Sequence, residues 1–236
     1  MSTFFYTLKS MLVEKLTYDV REAVKQYTDD SELSDLHILY LYSLKRSKYL
    51  RNDLNQLTRT IDNSILQTLC LEVEEVSIAQ CGFDYECGTI MRTVRPIPKP
   101  LELHLKSAIT SIKPSNRIAI PFNFVSKDRA IYSKYSKFNK SIYTFIDNDL
   151  YVYFISQSNA IKLLDCVTIT GIFEDPLELK NYKDCCGCND SNICFDIMTT
   201  DYPLQSHHID SIREEIIRNY IRTIQIPEDK TNDAND

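Results

Sequence analysis

Glycine is what this sequence has least of for its length: four in 236 residues, Gly82, Gly88, Gly171 and Gly187, against a usual share of ~7%. Loops that cradle phosphate need clustered glycines, because only they let the main chain close on an anion. Four scattered glycines make neither a P-loop nor a dinucleotide-binding turn, which argues against kinase-like and Rossmann-like functions. Tryptophan is absent. No apolar run approaches the roughly eighteen residues of a membrane-spanning helix, so no membrane role is expected. The N-terminal stretch is broken by Lys9, Glu14 and Lys15 and has no small-residue cleavage site, so it does not read as a signal peptide. Neither H-E-x-x-H nor G-x-S-x-G occurs, and the four histidines, His37, His104, His207 and His208, are dispersed.

With 43% hydrophobic and 25% charged residues, the chain has the composition of a globular protein that needs no staples. Its formal charge of −6 is unevenly laid out. Between Leu101 and Phe145 stand eight basic residues against two acidic ones, whereas from Glu174 onward fourteen acids face six bases. A basic middle and an acidic C-terminal part suit a protein that meets copies of itself or a charged partner, and a solvated surface carries the same pattern. Eight cysteines without a secretory signal point to a reducing compartment and to buried thiols or metal ligands rather than disulfides.

Periodicity divides the chain into helical ends and a β-rich middle. Leu8, Leu12, Leu16, Val20 and Val24 recur every fourth residue, predicting one amphipathic helix ending near Tyr27. The turn from Thr28 to Ser34 is rich in N-cap residues. A second helix should follow, burying Leu33, Leu36, Tyr40, Leu44 and Leu50 and turning Lys45, Arg46, Lys48 and Arg51 to solvent. From Asn63 the period shifts, with a strand or a short helix running into one. Short β-like runs are expected at Leu101 to Leu105, Ile109 to Ile112, Arg117 to Phe122, Ser141 to Ile146, Leu150 to Ile155 and Cys166 to Phe173. Ile209, Ile212, Ile216, Tyr220 and Ile224 mark a third helix. The expected fold is α+β: an N-terminal helical hairpin (1–62), a mainly antiparallel β module or small barrel (63–176), a Cys-rich loop (177–205) and a C-terminal helix (206–226). These make a single domain over 1–226, followed by a flexible acidic tail over 227–236.

Three clusters carry possible chemistry. Cys185, Cys186, Cys188 and Cys194 offer four thiolates within ten residues, but they lack the paired C-x2-C knuckles of structural zinc sites, and packing thiols are the favoured reading. Cys81 and Cys87, each followed by glycine, bracket a turn. The stretch from Lys127 to Lys140 interleaves Lys127, Arg129, Lys134, Lys137 and Lys140 with Tyr132, Tyr135 and Phe138. Cations neutralise phosphates and rings stack on bases, so the pattern fits single-stranded nucleic acid. It equally fits an exposed loop docking on an acidic protein surface, which the acidic whole favours.

Several segments together resemble the head-to-tail adaptor, or ring, proteins of short-tailed crAss-like bacteriophages. They are the helical start with its Asp29-Asp30-Ser31 turn, the run from Leu66 to Glu72, the run from Arg92 to Pro98, the run from Val167 to Pro176, and the ending with Tyr202-Pro203, an Ile-rich helix and the tail from Pro227. Their order and spacing carry the resemblance, which spans nearly the whole chain.

The resemblance implies a virion structural protein rather than an enzyme, with no obligatory cofactor. Such adaptors assemble as a ring, usually of twelve copies, beneath the portal protein at the head-tail junction. They extend the channel for double-stranded DNA and present a platform to tail and ring proteins. The C-terminal segment, here Pro227, Glu228 and Asp229, would reach onto the portal or a neighbour and order only on assembly. The acidic half would face the channel and the basic loop the neighbours, since a cationic lining would hold DNA. The rival readings are another tail or collar ring protein, a cytosolic nucleic-acid-binding protein using residues 127–140, and a zinc- or thiol-dependent enzyme centred on Cys185 to Cys194.

Overall fold

A computed structural model describes residues 11–26, 33–56, 60–78, 89–115, 120–133, 141–182 and 201–224. In chain order these form α1 (Val13–Lys25), α2 (Asp35–Leu54), β1 (Gln67–Ser77), β2 (Thr89–Thr93), β3 (Ile109–Pro114), β4 (Asn123–Phe124), α3 (Lys127–Ser133), β5 (Tyr143–Ile146), β6 (Val152–Ile155), β7 (Cys166–Gly171) and α4 (Ser206–Ile224). The architecture is mixed α+β, as the periodicity predicts. The chain divides into two compact units, Met1–Leu50 with Asp196–Asp236, and Arg51–Phe195.

The first unit is helical. In α1, Leu16, Val20 and Val24 are buried in one row while Glu14, Lys15 and Tyr18 face outward. Glu14 in the first turn and Lys25 in the last suit the helix dipole. α1 packs against α4, whose Ile209, Ile212 and Ile216 are buried as expected. The chain entering α4 runs antiparallel to the start of α1: Leu12 bridges Asp201, and the Tyr202 N–H donates to the Met11 carbonyl at 3.0 Å.

α2 departs from expectation. It buries Ile38, Leu39, Tyr42, Arg46 and Leu50, and it leaves Leu36, Tyr40 and Leu44 exposed. Arg46, expected in solvent, is fully buried, because its Nε donates to the Pro203 carbonyl at 2.8 Å. Tyr42 beside it meets Tyr202 edge to face, with ring centroids 6.0 Å apart. Burial pushes the Tyr42 phenol well above its ordinary value. Ion pairs fix the surrounding helices: Arg21 with Asp35, Arg213 with Asp19 at 3.9 Å, and Lys45 with Glu215 at 2.5 Å.

The second unit is built on a seven-stranded sheet in the order β3-β7-β1-β2-β6-β5-β4. All pairings are antiparallel except β4 with β5. β1 organises it: Gln67 to Glu72 pair with β7, and Val73 to Ser77 pair with β2. The two outer strands also meet, since the Phe122 N–H, just before β4, donates to the Ile112 carbonyl of β3 at 2.7 Å. The sheet thus curls back on itself towards a small barrel. Leu69, Leu71, Ile112, Phe154, Val167 and Ile169 fill one face, each such side chain worth about 1.5–3 kcal/mol on burial. The other face carries a smaller cluster of Val76, Ile90, Phe145 and Tyr153, capped by Ala130 of α3. Gly171 has a packing reason: a Cβ there would lie 2.8 Å from Ile109 Cδ1 and 2.9 Å from the Ala108 carbonyl, beside the register shift between Ile109 and Ser111.

Several expected strands are found close to their predicted bounds: β3, β5, β6 and β7. The run from Leu101 to Leu105 is not a strand. Pro100 bridges Phe173 and the Leu101 N–H donates to the Ile172 carbonyl at 2.9 Å. Beyond them the chain bends at residues 104–106, where the Asn55 side chain accepts from the His104 N–H at 3.0 Å. Arg117 to Phe122 contributes no strand among its described residues, and the pairing falls instead on Asn123–Phe124. β2 was not anticipated.

Candidate functional site

The basic-aromatic stretch starts as a helix rather than a loop. Lys127, Arg129 and Tyr132 all lie on α3, which is seated on β5 and β6 through fully buried Ala130. The Lys127 ammonium meets Asp147 Oδ2 at 2.6 Å, so one of the five expected cations is spent on an internal carboxylate. Arg129 is exposed, and Tyr132 is 77% exposed. Lys134, Tyr135, Lys137, Phe138 and Lys140 lie outside the described residues, as do Pro227, Glu228 and Asp229. Cys81, Cys87, Cys185, Cys186, Cys188 and Cys194 also lie outside them. Of the two remaining cysteines, Cys166 is a half-buried free thiol, whereas Cys70 is disulfide-bonded. That corrects the expectation of reduced thiols throughout.

His37 is exposed, and its N–H is capped by Ser34 Oγ at 3.3 Å. His207 and His208 open α4 with their rings 3.9 Å apart, and His208 packs against Tyr49 at 5.6 Å. A hollow lined by Cys70, Glu72, Arg95 and Tyr182 in the second unit has a volume of about 60 Å³. That admits a few waters, well short of the ~300 Å³ or more of a small-molecule site.

Several charged side chains among the described residues of the second unit pair with one another. The Arg92 guanidinium donates to Glu74 Oε1 at 3.0 and 3.1 Å and lies 4.5 Å over the Tyr151 ring. Glu174 receives Arg51 and, at 3.3 Å, Lys99, which also reaches Glu102 at 3.1 Å. Hydrogen bonds from Lys99 hold the Glu102 carboxyl below its ordinary value. Such surface pairs tie loops together and contribute little individually.

What stands out is surface rather than cavity. Leu36, Tyr40 and Leu44 are 74%, 60% and 52% exposed and follow one another at four-residue spacing, so they share one outer side of α2. The sequence-level signal for this row was present: between Leu36 and Leu44 nearly every residue is apolar, more than one buried face requires.

Comparison with known proteins decides the family. The model of the crAss-like ring family described as phage tail ring protein 2 matches residues 15–236. This chain belongs to the phage tail ring protein 2 family. Ring protein 2 of Bacteroides phage crAss001 is 25% identical over 227 residues, which cover 96% of this chain and 97% of that protein. The match runs through residues of both units. The resemblance drawn from the ordered motifs is thereby confirmed: the chain is a structural ring protein of a crAss-like phage tail. A ring protein works by oligomeric assembly with other tail components. Among the described residues no helix is long and apolar enough to cross a membrane.

Proposed function

We propose that this ring protein is the adaptor that joins the portal to the tail, assembling as a closed ring of twelve copies in the host cytoplasm. In the virion it sits at the head-tail junction and extends the channel through which double-stranded DNA passes. The observation that carries this reading is the end-to-end match with a ring protein, 97% of whose length is covered. A shared body of that extent argues for a shared mode of assembly. The absence of a sizeable cavity in the hollow beside Cys70 and the internal pairing of Lys127 fit a protein that acts through surfaces. On this reading residues 1–226 act as one building block. Arg129 and Tyr132 are contacts for neighbouring tail or ring proteins, together with Lys134, Tyr135, Lys137, Phe138 and Lys140. Pro227, Glu228 and Asp229 reach the portal or an adjacent copy, and the acidic C-terminal half lies towards the channel, where it does not hold passing DNA.

Mixing the purified full-length chain with the portal of the same phage tests this. Native mass and negative-stain imaging should show a closed ring seated on the tail-facing end of the portal. A ring that forms but ignores the portal would place the protein elsewhere in the tail. A chain that stays monomeric with and without the portal would contradict the reading.

A further inference from the structure

We infer that the outer row of α2 is the face by which one copy meets the next, and that its counterpart on the neighbouring copy is the outer row of α1. The inference rests on the ring reading above and names the surface that would make the ring.

Leu36, Tyr40 and Leu44 form a line about 12 Å long at ~1.5 Å per residue. α2 does not need them for its own unit, whose interior is served by Ile38, Leu39, Tyr42 and Leu50. At their exposures of 74%, 60% and 52% the three side chains present roughly 300 Å² of mainly apolar surface. A patch of that size is comparable with the largest apolar patch on a typical monomer, which is often functional. It would supply the apolar centre of a standard face of ~800 Å² per partner, leaving a polar rim.

Charge identifies the occupant. The next position in the α2 row is Lys48, 62% exposed and 3.8 Å from Glu215, a carboxylate already engaged by Lys45 at 2.5 Å. On α1 the residues Glu14, Tyr18 and Glu22 repeat the same four-residue spacing. Tyr18 is 58% exposed, Glu14 is exposed and Glu22 is 44% exposed. Lys15 lies beside the row, and Lys25 is occupied with Glu22 at 3.4 Å. An apolar row ending in a lysine thus finds, on another helix of the same unit, the exposed ring of Tyr18 with Glu14 one turn before it and the Glu22–Lys25 pair one turn after it. Two unlike faces that complement each other across copies are what a head-to-tail contact needs, and such contacts close into rings.

The full-length Y40E/L44E variant tests the face. It places two charges on the outer side of α2, where the folded monomer tolerates them, so its circular dichroism should match the wild type. The concentration at which rings form should rise by about a hundredfold or more, since each ~1.4 kcal/mol lost is tenfold in affinity and buried unpaired charge costs more than that. L163E, at an 82% exposed leucine of the second unit, should assemble normally. A folded Y40E/L44E chain that forms rings at wild-type concentration would overturn the assignment of the face while leaving the ring reading intact. A wild-type chain that never forms rings would overturn both. A photo-reactive benzoylphenylalanine at position 40, in rings mixed from light and heavy-isotope chains, tests the occupant. Cross-links between isotopically different copies that map to α1 support the inference. Cross-links within one copy, or to another phage protein, contradict it.

Discussion

α1 and α2 carry the same sequence device and put it to opposite use. Each has large apolar side chains at four-residue spacing, Leu16, Val20 and Val24 in one and Leu36, Tyr40 and Leu44 in the other. The first row is buried to 1% exposure or less, and the second is at least half exposed. Spacing defines a face, then, but not the direction in which it points. Direction is set by what the rest of the chain brings alongside. α1 has one apolar side and must hide it. α2 has two, and the one turned inward is the one that meets Tyr202 and the Pro203 carbonyl, more than 150 residues away along the chain.

Matched substitutions sharpen that contrast. Leu16→Ala on α1 should cost about 2–5 kcal/mol, the range for truncating a buried leucine, read as a lower denaturation midpoint. Arg46→Ala on the inward side of α2 should cost about 2–4 kcal/mol, because a charged donor to the Pro203 carbonyl and a buried stem are lost together. An Arg46 variant as harmless as a surface change would break the account of α2. Leu44→Ala on the outer side should change monomer stability by less than about 0.5 kcal/mol, yet weaken assembly. The smallest effect concerns pH. A hydrogen bond from Lys45 holds the Glu215 carboxyl below its ordinary value of 4.5. The stabilisation is therefore present above the unfolded value and is lost as acid carries the pH down through the folded one. Lys45→Met should flatten the stability profile in that acid range and leave it unchanged in shape near neutrality.

Much of the fold was legible beforehand because it rests on local pattern. Leu16, Val20 and Val24 declare α1, Ile209, Ile212 and Ile216 declare α4, and the β-branched alternation of Cys166 to Gly171 declares β7. What was not legible depends on distant partners. Arg46 looks like a solvent residue until the Pro203 carbonyl is placed beside it. Lys127 looks like a free cation until Asp147 comes within 2.6 Å. β2 hides behind a cysteine-glycine turn signal and exists because β1 and β6 pair with its two edges. α3 is a short helix whose reason is Ala130 on the β5–β6 face, and composition read its residues as a loop. The family was carried by the order of weak motifs. The exposed α2 row, by contrast, has the sequence pattern of a core face, because an assembling chain and a core-forming one use the same residues.

On the proposed function this chain acts by closing into a ring of its own copies. Native mass measurement of the full-length protein across a concentration series tests it most directly. A single large closed oligomer is expected, with a mass that is a whole multiple of 27.5 kDa, and it should fall apart to monomer in Y40E/L44E. A wild-type protein that remains at 27.5 kDa at every concentration, alone or with the portal, would contradict it.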